Sequence, residues 1–290
     1  MASNTGHGTI KLFIVCAPTD SKLKEACNLM KHNTFYDLCN DVAASIEQAV
    51  SGLIGKTEAG MVLRIGADGT PTEKIDETAE NAALQVLERD GRSMRFVSEE
   101  LGEKTIGREP EFTFVLDPID GTFNAVHNIP FYCVPIAICG SDLSDIRYGY
   151  VKNLVNGDIY TAERGKGAFL NNKLIHVSSR SELSELSVIS YSHRPHAVAI
   201  NNHIARRVRV FGCAALELCY VASGIFDAFI DMRGMLRITD IAAGKLIVKE
   251  AGGTITGGNG ELLSTPLDVK KRVNLVASNG KAHDKLLELV

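Results

Sequence analysis

An apolar stretch of the chain ends abruptly at residues 117–122, which read Asp-Pro-Ile-Asp-Gly-Thr. The proline between the two acids fixes φ, and the glycine after them permits a tight turn. Such a turn directs Asp117 and Asp120 toward one point and leaves the amides of Gly121 and Thr122 free to bind an oxyanion. Hard cations such as Mg²⁺ prefer carboxylate, carbonyl and water oxygens. The segment therefore predicts a metal and phosphate site, and a plain β-turn whose aspartates bond their own backbone is the alternative.

Further acidic positions could complete this site. Glu99 and Glu100 follow an apolar strand signal, so one carboxylate can extend from the end of that strand. Asp240 opens a predicted helix whose apolar stretch is 241–248, and Asp76 lies in the first turn of another helix. Each acid also has an ordinary explanation. Glu99 could be a solvated loop acid, Asp240 a helix N-cap, and Asp76 a partner of the helix dipole.

Other patterns give little support to competing chemistries. Gly55-Lys56-Thr57 resembles the end of a P-loop, but position 50, where that motif requires glycine, is valine. His193 and His196 lack a second pair of ligands for zinc. The seven cysteines are odd in number and form no CxxC pair, so we expect buried, reduced thiols. These cysteines are Cys16, Cys27, Cys39, Cys133, Cys139, Cys213 and Cys219.

Composition narrows the classes of partner. The 290 residues carry 31 Lys+Arg against 35 Asp+Glu, a net charge of −4, which gives no electrostatic footprint for nucleic acid or an anionic membrane. No apolar run approaches the ~18 residues that a transmembrane helix needs. The stretch 12–17 is shorter than the ~7–15 residues of a signal peptide's apolar region. We expect a soluble cytoplasmic protein with no nucleic-acid or membrane partner.

Three motifs occur together in an order that identifies a resemblance. They are Ser98-Glu99-Glu100, the 117–122 segment, and Thr239-Asp240-Ile241-Ala242-Ala243-Gly244. Over residues 33–290 the chain resembles the inositol monophosphatase family of Mg²⁺-dependent phosphatases. It is most similar to the archaeal-type dual fructose-1,6-bisphosphatase/inositol monophosphatases. That similarity comes from the stretch 66–76, from Arg209-Val210-Phe211-Gly212 and from Asp231-Met232-Arg233-Gly234.

The resemblance implies roles for individual residues. The implied ligands of two or three Mg²⁺ ions are Glu99, Asp117, the Ile119 carbonyl oxygen, Asp120 and Asp240. Asp76 and Thr122 are implied to orient or deprotonate the attacking water, which makes them the catalytic pair. The implied substrate-binding residues are Asp120, Gly121, Thr122, Arg209, Ala214 and Arg233. Of these, Gly121 and Thr122 would bind the phosphate through their amides.

One departure from the family pattern bears on the substrate. Many inositol monophosphatases have Trp before the helix-opening Asp, whereas Thr239 stands here and the chain has no Trp. The arginines at 209, 233 and 237 suit a second phosphate or a phosphorylated sugar, because guanidinium binds phosphate bidentately; ordinary surface arginines are the alternative.

The resemblance predicts hydrolysis of fructose 1,6-bisphosphate, inositol 1-phosphate or both. Water would attack in line with the leaving group, and metal ions would activate that water and stabilise the leaving oxygen. The partner is then a small phosphorylated sugar or cyclitol, and the assembly a homodimer. A bisphosphate nucleotidase or another sugar-phosphate phosphatase of the same fold is the alternative within the class. A non-catalytic protein that binds a phosphate ligand is the alternative outside it.

These residues need a scaffold of interleaved helices and strands. Hydrophobic periodicity predicts helices over 34–53, 73–90, 214–223, 240–251 and 281–289. Strands are predicted over 94–97, 112–116, 131–139, 148–154, 159–162, 186–190, 208–211, 225–230, 253–255 and 273–277. The pattern indicates a layered α/β or α+β protein with a seam near 180. The resemblance implies a five-layered αβαβα sandwich. We expect a metal-binding half over 33–180, a substrate-binding half over 181–290, and an N-terminal arm of undecided status over 1–32.

Overall fold

The structure, a computed structural model, describes residues 34–191 and 205–290. The arm over 1–32, Cys16, Cys27, His193 and His196 lie outside the described residues. The helices are α1 (Thr34–Val50), α2 (Lys74–Asp90), α3 (Thr122–Val126), α4 (Ala214–Ala222), α5 (Ile238–Glu250) and α6 (His283–Leu287). The strands are β1 (Val62–Ile65), β2 (Pro71–Glu73), β3 (Met94–Ser98), β4 (Gly102–Ile106), β5 (Phe112–Leu116), β6 (Cys133–Cys139), β7 (Ile146–Asn153), β8 (Ile159–Glu163), β9 (Gly167–Leu170), β10 (Lys173–Ile175), β11 (Ser187–Tyr191), β12 (Arg207–Arg209), β13 (Ala228–Arg237), β14 (Thr254–Thr256) and β15 (Arg272–Ser278). Short 3₁₀ turns span Thr57–Gly60 and Leu183–Glu185.

Two sheets and a hairpin contain these strands. An eight-stranded sheet has the order β10-β9-β8-β7-β6-β5-β3-β4, in which β3 and β5 are parallel and every other pair is antiparallel. A five-stranded sheet has the order β12-β11-β13-β15-β14, with β11 parallel to both of its neighbours. The strands β1 and β2 pair only with each other, as an antiparallel hairpin.

Helices and sheets alternate in five layers, and three apolar cores lie between them. The first lies between α1, α2 and one face of the large sheet and contains Ile46, Leu87 and Phe114. The second fills the space between the two sheets around α4 and α5 and includes Leu218 and Ile247. The third lies between the outer face of the small sheet and α6. The predicted αβαβα sandwich is therefore confirmed.

The long helices follow their hydrophobic periodicity. In α1 the residues Leu38, Val42 and Ile46 are buried along one face, as an amphipathic helix on a sheet requires. The second helix begins one residue after the predicted position and ends at Asp90 as predicted, with Gly91 in the left-handed region at φ 85°.

The differences from the predicted elements have local causes. α5 begins at Ile238, so Asp240 is its third residue and not its first. β13 continues to Arg237, seven residues beyond the predicted end, with an irregularity in its pairing between Asp231 and Leu236. Residues 66–70 form the turn of the β1–β2 hairpin, and neither strand was predicted. These strands, like β4, β9 and β10, are too short or too polar to give a period-2 signal.

The two sheets fall on either side of residue 180, but the expected division into functional halves stays a prediction. Within the described residues no helix is long and apolar enough to cross a membrane.

Candidate active site

The turn after β5 forms the centre of the site. Asp117 is 1% exposed, and its Oδ1 accepts a hydrogen bond from the Ile119 amide at 3.0 Å. Its second oxygen, Oδ2, is buried and has no hydrogen-bond partner among the described residues. Leaving a buried carboxylate oxygen unpartnered is costly. The self-bonded β-turn thus explains only one of the two carboxylate oxygens of Asp117.

Two neighbouring strands bring Glu99 beside Asp117. β3 and β5 are parallel, and their last residues, Ser98 and Leu116, are paired in register. The residues that follow each strand therefore leave the same edge of the sheet together. Asp240 enters from the first turn of α5, and carboxylate oxygens of Glu99, Asp117 and Asp240 lie within 4.8 Å of one another.

Burial and mutual repulsion dominate the electrostatics of this cluster. Removal from water, together with the charges of Asp120 and Asp240, raises the pKa of Asp117 well above its usual range. Burial and the charge of Asp240 raise the pKa of Asp120 to about 7, against the hydrogen bond from Ala215. A proton or a cation relieves this repulsion. The all-oxygen donor set and the unpartnered Asp117 oxygen fit a hard divalent cation such as Mg²⁺.

Arg237 lies at this cluster. Its Nε is 3.1 Å from Asp240 Oδ1, its Nη1 contacts Glu99, and Nη1 is also 3.3 Å from Asp68 Oδ2. Asp68 is held a second time by Arg272 at 3.0 Å. We expected Arg237 to face a second phosphate. In the structure its guanidinium is instead paired with acids of the cluster.

Asp120 is close to the cluster but points to another partner. Its Oδ2 accepts a hydrogen bond from the Ala215 amide at 2.6 Å, in the first turn of α4. Its main chain pairs with Cys133, with both N–O distances at 3.0 Å. The three ligand groups of Asp120, Cys133 and Cys213 lie within 4.8 Å of one another. The role of Asp120 as a metal ligand stays a prediction.

The predicted catalytic pair is in direct contact. Thr122 Oγ1 lies 3.0 Å from Asp76 Oδ1 and 2.9 Å from the Ile119 carbonyl oxygen. The Thr122 hydroxyl has one hydrogen and can donate it to only one of these two oxygens. If it donates to the Ile119 carbonyl oxygen, the contact with Asp76 is a hydrogen bond only when Asp76 is protonated. Burial and the nearby Glu100 carboxylate raise the pKa of Asp76 to about 8. The pair can therefore hold or release a proton near neutral pH.

Gly121 is required by the backbone at this turn. Its φ is 93°, and a Cβ at this position would lie 3.0 Å from the Phe131 carbonyl oxygen. Among the described residues, nothing accepts a hydrogen bond from the amides of Gly121 or Thr122. These amides are the donors that the sequence predicted for phosphate.

The predicted sugar-pocket residues have different surroundings. Arg233 forms an ion pair with buried Asp231 at 2.6 Å and lies 4.1 Å from the Tyr191 ring centroid. Arg209 is exposed on β12 and donates to the Val208 carbonyl oxygen. Ala214 is the first residue of α4. Their roles toward a substrate stay predictions.

Sequence reasoning missed two groups beside the site. Asp68, in the hairpin turn, has a side chain with no exposed surface and two arginine partners, although in the sequence it is only one member of the stretch 66–76. Glu217 is fully buried on α4, where it accepts hydrogen bonds from the Tyr191 hydroxyl and the Phe211 amide, both at 2.8 Å. Burial raises the pKa of Glu217 to about 8. A lone acid within the apolar stretch 214–222 was the available signal for it.

Comparison with known proteins agrees with this geometry. The family model described as "Inositol monophosphatase family" matches residues 32–290. The chain belongs to the inositol monophosphatase family. A Methanothermobacter thermautotrophicus protein named fructose-1,6-bisphosphatase/inositol-1-monophosphatase is 46% identical over 260 residues, covering 85% of this chain and 93% of that protein.

Two other family relatives add detail. A Methanococcus maripaludis protein named bifunctional NADP phosphatase/NAD kinase is 41% identical, over 87% of this chain but only 48% of that longer protein. A solved Pyrococcus horikoshii structure, described as similar to inositol-1 monophosphatase, superimposes with a TM-score of 0.78 at 30% identity. That match covers 89% of this chain and 98% of the other.

Proposed function

We propose that this family member is a Mg²⁺-dependent phosphomonoesterase that hydrolyses fructose 1,6-bisphosphate, inositol 1-phosphate or both. One observation carries the proposal. The carboxylates of Glu99, Asp117 and Asp240 converge within 4.8 Å beside the hydrogen-bonded pair of Thr122 and Asp76. The relatives named for these two activities support the choice of substrates. The complete set of acids counts against a non-catalytic phosphate-binding protein.

The residues of the site would have different roles in this reaction. Glu99, Asp117 and Asp240, with Asp120 and the Ile119 carbonyl, would hold two or three Mg²⁺ ions. When bound, the ions neutralise phosphate charge, acidify water and stabilise the leaving oxygen. The free amides of Gly121 and Thr122 would orient the phosphate, and Thr122 with Asp76 would position the attacking water and accept its proton. Arg209, Ala214 and Arg233 would contact the sugar.

A second candidate substrate comes from one specific relative. The Methanococcus maripaludis protein carries the words NADP phosphatase in its name, and its match covers 87% of this chain. NADP⁺ bears a 2′-phosphate monoester on a ribose ring, so the same metal and phosphate groups could act on it. This candidate belongs with the nucleotidase alternative, because both reactions hydrolyse a phosphate monoester on the ribose of a nucleotide.

Phosphate release from a substrate panel tests the proposal. The panel is fructose 1,6-bisphosphate, inositol 1-phosphate, NADP⁺ and adenosine 3′,5′-bisphosphate, each with Mg²⁺ and with EDTA. We expect Mg²⁺-dependent release from one or both of the first two at kcat/KM values at least about tenfold above the nucleotides, a difference of about 1.4 kcal/mol. A preference for NADP⁺ would transfer the assignment to the second candidate. No release from any ester would contradict the proposal.

A homodimer and a cytoplasmic location are further proposals from the family resemblance.

A further inference from the structure

Two thiols lie beside the acid cluster and take no part in the proposed reaction. Cys133 begins β6, and Cys213 immediately precedes α4. Their Sγ atoms are 3.5 Å apart, although 80 residues separate them in the chain. A carboxylate oxygen of Asp120 completes a group whose three ligand atoms lie within 4.8 Å of one another. All three residues are buried.

Backbone contacts hold this group in place. The main chains of Asp120 and Cys133 exchange two hydrogen bonds, each of 3.0 Å. The Cys213 thiol donates to the Asp120 carbonyl oxygen at 3.2 Å, and the Ala215 amide donates to Asp120 Oδ2 at 2.6 Å. The three side chains are therefore positioned by the turn, the strand and the helix start, and not by one another alone.

The sulfur spacing agrees with that of a metal-dithiolate site. In tetrahedral zinc sites the Zn–S bond is about 2.3 Å, which places two ligating sulfurs about 3.8 Å apart. The observed 3.5 Å differs from that value by a few tenths of an ångström. A disulfide would instead require the sulfurs to approach to about 2.05 Å. The present spacing of Cys133 and Cys213 is much nearer to the first geometry.

The two candidate metal groups differ in chemistry. Among residues 34–191 and 205–290, the other group that could hold a metal consists of Glu99, Asp117 and Asp240, which offer only oxygen. Hard oxygen donors suit Mg²⁺, whereas thiolates select softer ions such as Zn²⁺. Asp120 lies at the boundary, since it belongs to the sulfur group here and is a predicted Mg²⁺ ligand of the neighbouring cluster.

We propose that Asp120, Cys133 and Cys213 form a binding site for a thiophilic divalent cation such as Zn²⁺, with water in the fourth position. Binding releases the thiol protons and makes two metal–sulfur bonds, with no change in oxidation state. An ion held here draws the Asp120 carboxylate away from the Mg²⁺ cluster and so inhibits hydrolysis. The inhibition rests on the proposed function, whereas the binding does not.

Co²⁺ absorption spectroscopy tests the binding directly. Co²⁺ added to the full chain in excess Mg²⁺ should give sulfur-to-metal charge-transfer absorption at one equivalent, and Zn²⁺ should remove it. Cys133→Ala and Cys213→Ala should each lose that absorption and bind Zn²⁺ at least about 100-fold more weakly. The matched controls are Cys39→Ala and the double variant Cys16→Ala/Cys27→Ala, which should keep it. Absence of the charge-transfer band in the wild-type protein, or its persistence in both site variants, would overturn the site.

Phosphate release tests the inhibitory role separately. At one fixed Mg²⁺ concentration that saturates turnover, enough Zn²⁺ to fill the site should lower the wild-type rate at least about tenfold. Cys213→Ala, compared with its own rate before addition, should resist that inhibition. Full activity with Zn²⁺ bound would overturn the coupling to Asp120. If the chain hydrolyses no phosphate ester, the proposed function fails, and the Co²⁺ spectrum still decides whether the site exists.

Discussion

The guanidinium of Arg237 lies 3.1 Å from the carboxylate of Asp240, and the same group contacts Glu99. Arg237 is only 23% exposed, so it places a positive charge among acids that are themselves largely removed from water. A divalent cation held by Glu99 and Asp240 would compete with this guanidinium for the same oxygens. The structure thus links the stability of the acid cluster to the position of one arginine.

Replacing that arginine should make the fold more dependent on metal. We expect Arg237→Gln to lower the free energy of unfolding in EDTA by about 1–3 kcal/mol, because carboxylates buried beside it lose a charged partner. Mg²⁺ should restore more stability to this variant than to the wild-type protein. Denaturant unfolding with and without Mg²⁺ measures both effects.

Arg233→Gln is the matched control for this prediction. Arg233 is similarly exposed, at 28%, and is paired with a buried acid, Asp231, that is outside the cluster. Its replacement should cost stability by an amount that Mg²⁺ does not change. An equal response of the two variants to Mg²⁺ would show that Arg237 has no special relation to the metal ligands.

The hydroxyl of Thr122 should matter for turnover more than for binding. We expect Thr122→Val, which keeps the shape but removes the contact to Asp76, to lower kcat by about 10²–10⁴-fold, the usual contribution of a positioned proton-transfer group. Thr122→Ser keeps the hydroxyl and should retain most of the activity. Steady-state kinetics separates kcat from KM, and equal losses in the Val and Ser variants would count against this role.

The pH dependence of stability should have an unusual sign. Burial raises the pKa of Asp76 to about 8 and that of Asp120 to about 7, above the value of about 3.9 in an unfolded chain. The folded state therefore binds more protons than the unfolded state between these values. In EDTA, the free energy of unfolding should fall as the pH rises from about 4 to about 8.

Mg²⁺ should weaken this dependence, because the ion replaces the protons as the partner of the carboxylates. Denaturant unfolding at several pH values, with EDTA and with Mg²⁺, measures the slope. Asp76→Asn removes one titrating group and should flatten the EDTA curve at its alkaline end. A stability that rises with pH in EDTA would contradict the described electrostatics.

The turn should tolerate no side chain at residue 121. In Gly121→Ala the φ of 93° and the 3.0 Å approach to the Phe131 carbonyl act together, so we expect a loss of about 1–3 kcal/mol in stability and a large loss of activity. Gly91→Ala isolates the backbone cost, since φ there is 85° and nothing lies within 4 Å of the added Cβ. Thermal unfolding and phosphate release compare the two variants. A smaller loss in Gly121→Ala than in Gly91→Ala would be inconsistent with this packing.

Local signals predicted the part of the site that depends on strand ends. Glu99 and Asp117 each follow an apolar strand, and the parallel pairing of Ser98 with Leu116 brings them together as expected. The contact of Arg237 with Glu99 joins residues far apart in the chain. The sequence gives no signal for such a pairing, because most long charged side chains lie on solvated surfaces.

The contact between Cys133 and Cys213 could not be predicted from the sequence either. Both lie in apolar segments, where a thiol packs like any small hydrophobic side chain. Their 3.5 Å contact depends on where α4 begins relative to β6. That relation is set by the packing between the sheets and not by any local pattern. The beginning of α5 was misplaced for a related reason, since β13 runs directly into the helix with no glycine or proline between them.

The most direct test of the central claim is phosphate release by the wild-type protein and by Asp117→Asn as Mg²⁺ is titrated, with fructose 1,6-bisphosphate as substrate. Asp117 carries a buried carboxylate oxygen that has no partner within the described chain, and the substitution changes its charge without changing its size. We predict activity that saturates with Mg²⁺ and disappears in EDTA for the wild type, and a loss of at least about 1000-fold, or about 4 kcal/mol, in a folded Asp117→Asn variant. Near-normal, Mg²⁺-dependent turnover by that variant would contradict the assignment of this acid cluster as the catalytic metal site.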